Sequence, residues 1–193
     1  ARRRDELSRS LDRGGLALGI CNGFQVMIHL GLLPGPDDGR HDFVARADLA
    51  PNERLGYRDD WVTLRVEPGT HCLWPRGFER IELPARHGEG RVLTDTSQRL
   101  EALCGSGRVP LRYVDGQGRP TEAWPWNPNG SAAGVASLTD ASGRVLGLMP
   151  HPDAFLHPWH HPAWRREGPD AVGGGITGLH LFESGLEAAR EIV

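Results

Sequence analysis

A cysteine between two glycines, Gly19-Ile20-Cys21-Asn22-Gly23, has the spacing of a nucleophile carried on a sharp turn. A short apolar run at 16–20 precedes it and a helical pattern at 24–30 follows, so the thiol sits between a strand and a helix. The glycines permit a turn that a side chain would obstruct. A thiol at a helix N-terminus meets the positive end of the aligned peptide dipoles, which predicts a lowered pKa and an accessible thiolate. The N–H of Asn22 then faces an oxyanion forming beside the sulfur. On its own such a cysteine reads as a packing residue, because buried cysteines are common. The strand–turn–helix context favours the nucleophile. Cys72 and Cys104 lack that context and are expected to pack.

A thiol nucleophile needs a base, and the base needs an orienting group. Pro150-His151-Pro152-Asp153 directly follows an apolar strand pattern at 145–149. Side chains just past the C-terminal ends of neighbouring parallel strands meet, so His151 and Cys21 can converge although they are distant in sequence. Pro150 and Pro152 stiffen the chain around the imidazole. Asp153 is two residues on, and in an extended segment it faces the same side and accepts from the ring. His-Pro-Asp alone reads as a surface turn; with the elbow it reads as the rest of a triad.

The elements that must position these residues follow from periodicity and turn chemistry. Residues 5–12 read as a helix ended by Gly14-Gly15. Residues 35–58 are rich in Pro, Asp, Gly and Arg and read as a loop. Strands are expected at 61–66, 81–83, 91–93, 111–114, 135–138 and 145–149, and a helix at 97–103. Asp115-Gly116-Gln117-Gly118 is hairpin chemistry. A helix over 178–192 closes the order, with Leu179, Phe182 and Leu186 on its apolar face. The fold class is α/β with antiparallel additions.

A length of 193 residues suits one domain. The net charge of −3 leaves no electrostatic footprint for nucleic acid or an acidic membrane as partner. No apolar run reaches the length of a membrane span, and no signal-peptide pattern is visible. Three widely spaced cysteines form neither a disulfide framework nor a zinc pattern, which points to a reducing cytoplasm. His157, His160 and His161 lie beside Trp159 and Trp164, but no ligand stands at a familiar zinc spacing, so a partner contact or substrate rim is the better reading. His87 and Glu89 read as a second acid–base pair or, preferably, as structure at the mouth of the site. Trp124 and Trp126, beside the turn Asn127-Pro128-Asn129-Gly130-Ser131, read as partner-facing or site-lining.

Gly19-Ile20-Cys21-Asn22-Gly23-Phe24-Gln25, with Met149-Pro150-His151-Pro152-Asp153 downstream, resembles the class I glutamine amidotransferases. The narrower resemblance is to the glutaminase of phosphoribosylformylglycinamidine synthase. It rests on Asn22 after the nucleophile, on Arg86-His87-Gly88-Glu89-Gly90-Arg91, and on Leu111-Arg112-Tyr113-Val114-Asp115 with Asn127-Pro128-Asn129-Gly130-Ser131. That family implies a flavodoxin-like three-layer sandwich with a mostly parallel sheet and antiparallel additions. It implies Cys21 as nucleophile, His151 as base and acid, Asp153 as the third member, and Asn22 and Gln25 against the bound glutamine. Ammonia passes to a synthetase component, which uses ATP and magnesium; no cofactor is expected on this domain.

Two departures from the family pattern stand out. Glutamate is usual where Asp153 stands, and aspartate is one methylene shorter. The family's early strands and the Gly-rich turn that carries the second oxyanion donor are absent, so 1–193 is expected to be a single glutaminase domain lacking its N-terminal part and a poor enzyme alone. The competing readings are a cysteine hydrolase on a related elbow and a non-catalytic interaction subunit of the same fold.

Overall fold

The computed structural model describes residues 2–192, so Ala1 and Val193 of the expected 1–193 domain lie outside the described residues. Helix α1 (Arg2–Asp12) leads into strand β1 (Ala17–Ile20) and helix α2 (Asn22–His29). Strands β2 (Asp48–Pro51), β3 (Arg58–Val66), β4 (Arg80–His87) and β5 (Glu89–Leu93) follow. Helix α3 (Ser97–Gly105) precedes strands β6 (Leu111–Tyr113), β7 (Ser137–Thr139) and β8 (Val145–Leu148). The short α4 (Trp164–Glu167) and the long α5 (Gly178–Ile192) complete the order.

The strands form three small sheets, ordered β1-β8-β7, β4-β3-β6 and β2-β5. β1 and β8 run parallel, with Ala17 opposite Val145 and Ile20 opposite Leu148. All other pairings among the described residues are antiparallel. β1 lies at one edge of its sheet.

β8 is buried at all four positions because it divides two cores. Leu146 and Leu148 face a cluster containing Leu64, Ile81, Leu83 and Leu181. Val145 faces the opposite cluster, with Phe24, Ile28 and Leu33. That alternation follows from the two-residue period of a strand. Gly147 lies on the second face, where a Cβ would stand 2.1 Å from the Phe24 ring, so only glycine lets α2 pack this closely on β8. Each fully buried leucine or phenylalanine contributes about 2 kcal/mol, and together they fix the ends of β1 and β8, which lead into Cys21 and the segment of His151.

Two expectations need correction. The stretch 35–58 is not all loop: β2 forms within it and pairs with β5. Its strand pattern was masked because a four-residue strand bounded by Asp48 and Pro51 carries little periodicity. The buried face of α5 is also different: Leu181, Ser184, Gly185 and Ala188 face inward. Leu179 and Leu186 are exposed. The Trp74 ring lies against Gly185, where a Cβ would come within 2.4 Å, so small side chains rather than large ones select the packed face. The hairpin over 115–118 is as expected, with the Asp115 N–H bonded to Arg119 O at 2.9 Å.

Candidate functional site

Cys21 caps the N-terminus of α2 with φ 51° and ψ −107°. A non-glycine residue in that region stores strain of about 1–3 kcal/mol, held by the surrounding structure. What holds it is visible. The Cys21 N–H donates to Leu148 O at 2.9 Å, continuing the parallel ladder by one residue, and Cys21 O accepts from the Gln25 N–H at 3.1 Å. The two glycines are not equivalent. A Cβ on Gly19 would stand 2.8 Å from the Gly23 backbone, whereas one on Gly23 meets open space. Only Gly19 is required by the turn's close approach, which corrects the expectation that both are.

The Asn22 N–H bonds toward the Cys21 sulfur, the direction an oxyanion donor needs. The thiol itself is not a thiolate in waiting. Burial pushes its pKa above 9.0, outweighing the Asn22 N–H, and the Asp153 carboxylate raises it further. The expectation of a lowered pKa is not met: desolvation exceeds the stabilisation from the Asn22 N–H here. The thiol proton points to Arg86 O, with Sγ to O at 3.9 Å.

His151 follows β8 and is held by its own N–H, which donates to Pro84 O of β4 at 2.8 Å. Its Nδ1 lies 3.4 Å from Asp153 Oδ1. The segment between them is a 3₁₀ turn (Pro152–Ala154), not the extended chain that was expected. Pro152 at its start favours that conformation, and the turn still leaves the carboxylate beside the ring. Asp153 is about half exposed, at 54% for its side chain, against 20% for His151. The His151 Nε2 is buried without a hydrogen-bond partner. The turn is pinned from behind, where the Gly178 N–H donates to Phe155 O at 2.7 Å. A Cβ on Gly178 would lie 2.0 Å from Pro152 O.

Gln25, one turn into α2, donates from Nε2 to Glu89 Oε2 at 3.3 Å. Asn22, Gln25 and Glu89 line a recess of about 430 Å³ with Val26, His29 and Leu49. A larger hollow of about 690 Å³ lies between Asp37, Arg46, Asp95 and Arg99 and does not touch Cys21. The structure thus brings Cys21, His151 and Asp153 to neighbouring strand ends, with Asn22 and Gln25 on the helix that Cys21 caps.

Residues of the second motif set form a hydrogen-bonded network of their own. Asn129 is fully buried. Its Nδ2 donates to Gly90 O at 2.9 Å and to Tyr113 Oη at 3.3 Å. Its Oδ1 accepts from the Ser131 N–H at 2.9 Å and from Ser131 Oγ at 2.7 Å. Asn127 donates to Ser131 O and Thr121 O at 2.9 and 3.2 Å. The turn at 127–131 is thus a buried polar lattice; of the two tryptophans read as partner-facing or site-lining, Trp124 is covered by the Arg54 and Arg58 guanidinium groups and Trp126 is exposed. His161 is buried against Trp61, 4.2 Å between ring centroids, with Nε2 3.3 Å from Glu82. His157 stacks on Trp159 at 4.5 Å. His157 also meets His160 edge-on at 5.4 Å, while His161 is turned to Glu82, and among the described residues no group of three or more possible metal ligands is found.

Sequence reasoning missed two contacts: Glu89 with Gln25, and Asn52 with His87 (Asn52 Oδ1 to His87 Nδ1, 3.2 Å). Asn52 lies in the segment read as loop, so nothing in the sequence marked it.

Comparison with known proteins agrees with the motifs. The family model described as the CobB/CobQ-like glutamine amidotransferase domain matches residues 1–187. The phosphoribosylformylglycinamidine synthase subunit PurQ of Dehalococcoides mccartyi is 34% identical over 191 residues, covering 97% of this chain and 69% of that protein. The human phosphoribosylformylglycinamidine synthase is 38% identical over 159 residues, covering 77% of this chain and 12% of that protein. A solved structure titled PurLQS from Thermotoga maritima superposes with a TM-score of 0.65 at 28% identity, covering 94% of this chain and 66% of that one. This chain thus spans about two thirds of the length of its PurQ relatives. With the elbow, the histidine segment and these likenesses together, the chain belongs to the CobB/CobQ-like glutamine amidotransferase family, in the branch of the PurQ subunit of phosphoribosylformylglycinamidine synthase.

Proposed function

We propose that this chain is the glutaminase of a phosphoribosylformylglycinamidine synthase, and that Cys21, His151 and Asp153 perform the hydrolysis. The carrying observation is the parallel register of β1 and β8, which sets the Cys21 elbow beside the segment that bears His151. In the reaction His151 Nε2 takes the thiol proton, and Sγ attacks the side-chain amide carbon of glutamine. The carbonyl oxygen becomes an oxyanion against the Asn22 N–H. His151 returns the proton to the amide nitrogen, the C–N bond breaks and ammonia leaves. Water, deprotonated by His151, then attacks the thioester; the C–S bond breaks, giving glutamate and the free thiol. Asp153 orients the ring and stabilises the imidazolium. Gln25 and Glu89 offer an amide and a carboxylate to the polar end of the amino acid.

This chemistry uses only a thiol, a base and water, so it requires no cofactor on this chain. ATP and magnesium belong to the synthetase component that receives the ammonia. That component is the expected partner, either as a separate subunit or within one longer polypeptide; the human relative, of which this chain covers 12%, supports the second arrangement. No described helix is long and apolar enough to cross a membrane, and we place the protein in the cytoplasm with its pathway. The family match over 1–187 supports reading the sequence as one glutaminase domain.

The test is mass spectrometry after treatment with a glutamine-mimicking electrophile. One adduct on Cys21 is expected, lost in Cys21→Ala and slowed at least about a hundredfold in His151→Ala. Equal modification of Cys72 and Cys104, or none at Cys21, rejects the reading and leaves an interaction subunit.

A further inference from the structure

Glu89 is placed by an irregularity of its sheet. β2 and β5 pair in regular antiparallel register from Asp48 opposite Leu93 to Ala50 opposite Arg91, and then the register shifts, so that Pro51 stands opposite Glu89. Gly90 is the extra residue of a β-bulge, with φ 150°. A Cβ there would stand 2.8 Å from Cε of the buried Met149 side chain, so glycine suits the bulge.

The bulge decides which way Glu89 points. In an unbroken strand Glu89 would share a face with Arg91, two residues on. The shift sets it opposite Pro51 instead, two residues past Leu49 on β2, and so on the face of Leu49 and Val92. That face packs on α2: Leu49 and Val92 belong to one buried cluster with Phe24 and Ile28. The outcome is the contact of Gln25 Nε2 with Glu89 Oε2 at 3.3 Å, in the recess that Asn22 and Leu49 also line. The main chain on both sides is tied down. Gly88 O accepts from the Asn52 N–H at 3.0 Å, and Gly90 O accepts from Asn129 Nδ2 at 2.9 Å. The Asn129 lattice thus holds the bulge, and the bulge aims the carboxylate.

Gln25 uses little of what that carboxylate offers. A carboxylate can accept several hydrogen bonds, and Gln25 is the one hydrogen-bond partner of the Glu89 side chain among the described residues. The spacing along α2 says which group could take the rest. The Gln25 N–H donates to Cys21 O, so Gln25 stands one turn from the thiol, a rise of about 5.4 Å. An extended glutamine separates its side-chain amide carbon from its α-nitrogen by about 5 Å. With the amide carbon at Sγ, the α-ammonium comes level with Gln25 and Glu89. An ammonium–carboxylate hydrogen bond is charge-assisted, about twice as strong as one from a neutral amide.

We propose that Glu89 is the specificity-determining residue for the α-ammonium group of the substrate: its carboxylate, turned toward α2 by the bulge at Gly90, accepts from that ammonium while Sγ attacks the amide carbon. This rests on the glutaminase reading and deepens it. Amides without an α-ammonium are thereby disfavoured. A glutamine inside a peptide is disfavoured for the same reason, because its α-nitrogen is acylated and uncharged.

The test is the rate of Cys21 alkylation by two reagents, read by mass spectrometry of the full chain over a range of reagent concentration. One is glutamine with a diazomethyl ketone in place of its side-chain amide, and the other is the same compound without the α-amino group. In the unsubstituted protein the amino reagent is expected to be favoured about tenfold to a hundredfold, through tighter saturable binding rather than a higher maximal rate. In Glu89→Gln, whose Oε1 still accepts from Gln25, the preference is expected to shrink to about threefold or less. In Glu89→Asp, which keeps the charge, part of it is expected to return. Glu89 is exposed, so both variants are expected to keep the parental thermal midpoint. Equal rates for the two reagents in the unsubstituted protein overturn the proposal, as does a preference that Glu89→Gln leaves intact. Cys21 labelled by both reagents at one rate removes only the role of Glu89. Cys21 labelled by neither removes the glutaminase reading and this proposal with it.

Discussion

The end of β1 and the lattice around Asn129 are neighbours, yet they are built on opposite principles. In the lattice every polar atom of the Asn129 side chain is used, twice at Nδ2 and twice at Oδ1. At the elbow, Cys21 sits at a strained φ of 51°, its thiol rests on a carbonyl at 3.9 Å, and His151 Nε2 has no partner. In the proposed reaction these are the atoms that exchange protons, and they are left uncommitted. The atoms that place it are fully bonded, because a partly satisfied buried network is costly and mobile. Rigidity and reactivity are thus divided between adjacent groups of residues.

The largest expected effect tests the rigid half. Asn129→Ala strips partners from Gly90 O, Tyr113 Oη and Ser131, and is expected to cost about 3 kcal/mol of stability in urea unfolding. A loss below about 1 kcal/mol breaks the comparison. The next effect tests the reactive half. Burial raises the Cys21 pKa above the ordinary thiol value, so the alkylation rate of free protein by iodoacetamide is expected still to be climbing with pH well above neutrality. The sign is fixed by burial, which disfavours the charged thiolate. A rate that already levels off near pH 7 contradicts it. The smallest effect sharpens the boundary between the halves. Gly19→Ala is expected to destabilise by about 2 kcal/mol through overpacking, while Gly23→Ala stays within about 1 kcal/mol of the parent, both read from thermal melts.

The elbow could be read from sequence because its determinants are contiguous: an apolar run, a glycine at a forced contact, and a helix. The His151 segment could be read because it directly follows a strand. Contacts that join distant stretches could not. Gln25 and Glu89 are 64 residues apart, and Asn52 and His87 are 35 apart, with Asn52 just past a strand too short to show a period. The pKa of Cys21 was misread for a related reason: the helix dipole is visible in a sequence pattern, and the depth of burial is not. The inward face of α5 escaped because Gly185 was chosen by the Trp74 ring rather than by its own hydrophobicity.

The contact between Gly178 and Pro152 has a mechanical meaning. The first residue of a fifteen-residue helix is seated on the carbonyl of the residue next to the base, too closely for any side chain to intervene. The position of the turn after His151 is therefore set by where α5 begins, backbone against backbone. The exposed Leu179 directly follows that seat, so the outer surface of α5 begins one residue from the turn that carries Asp153.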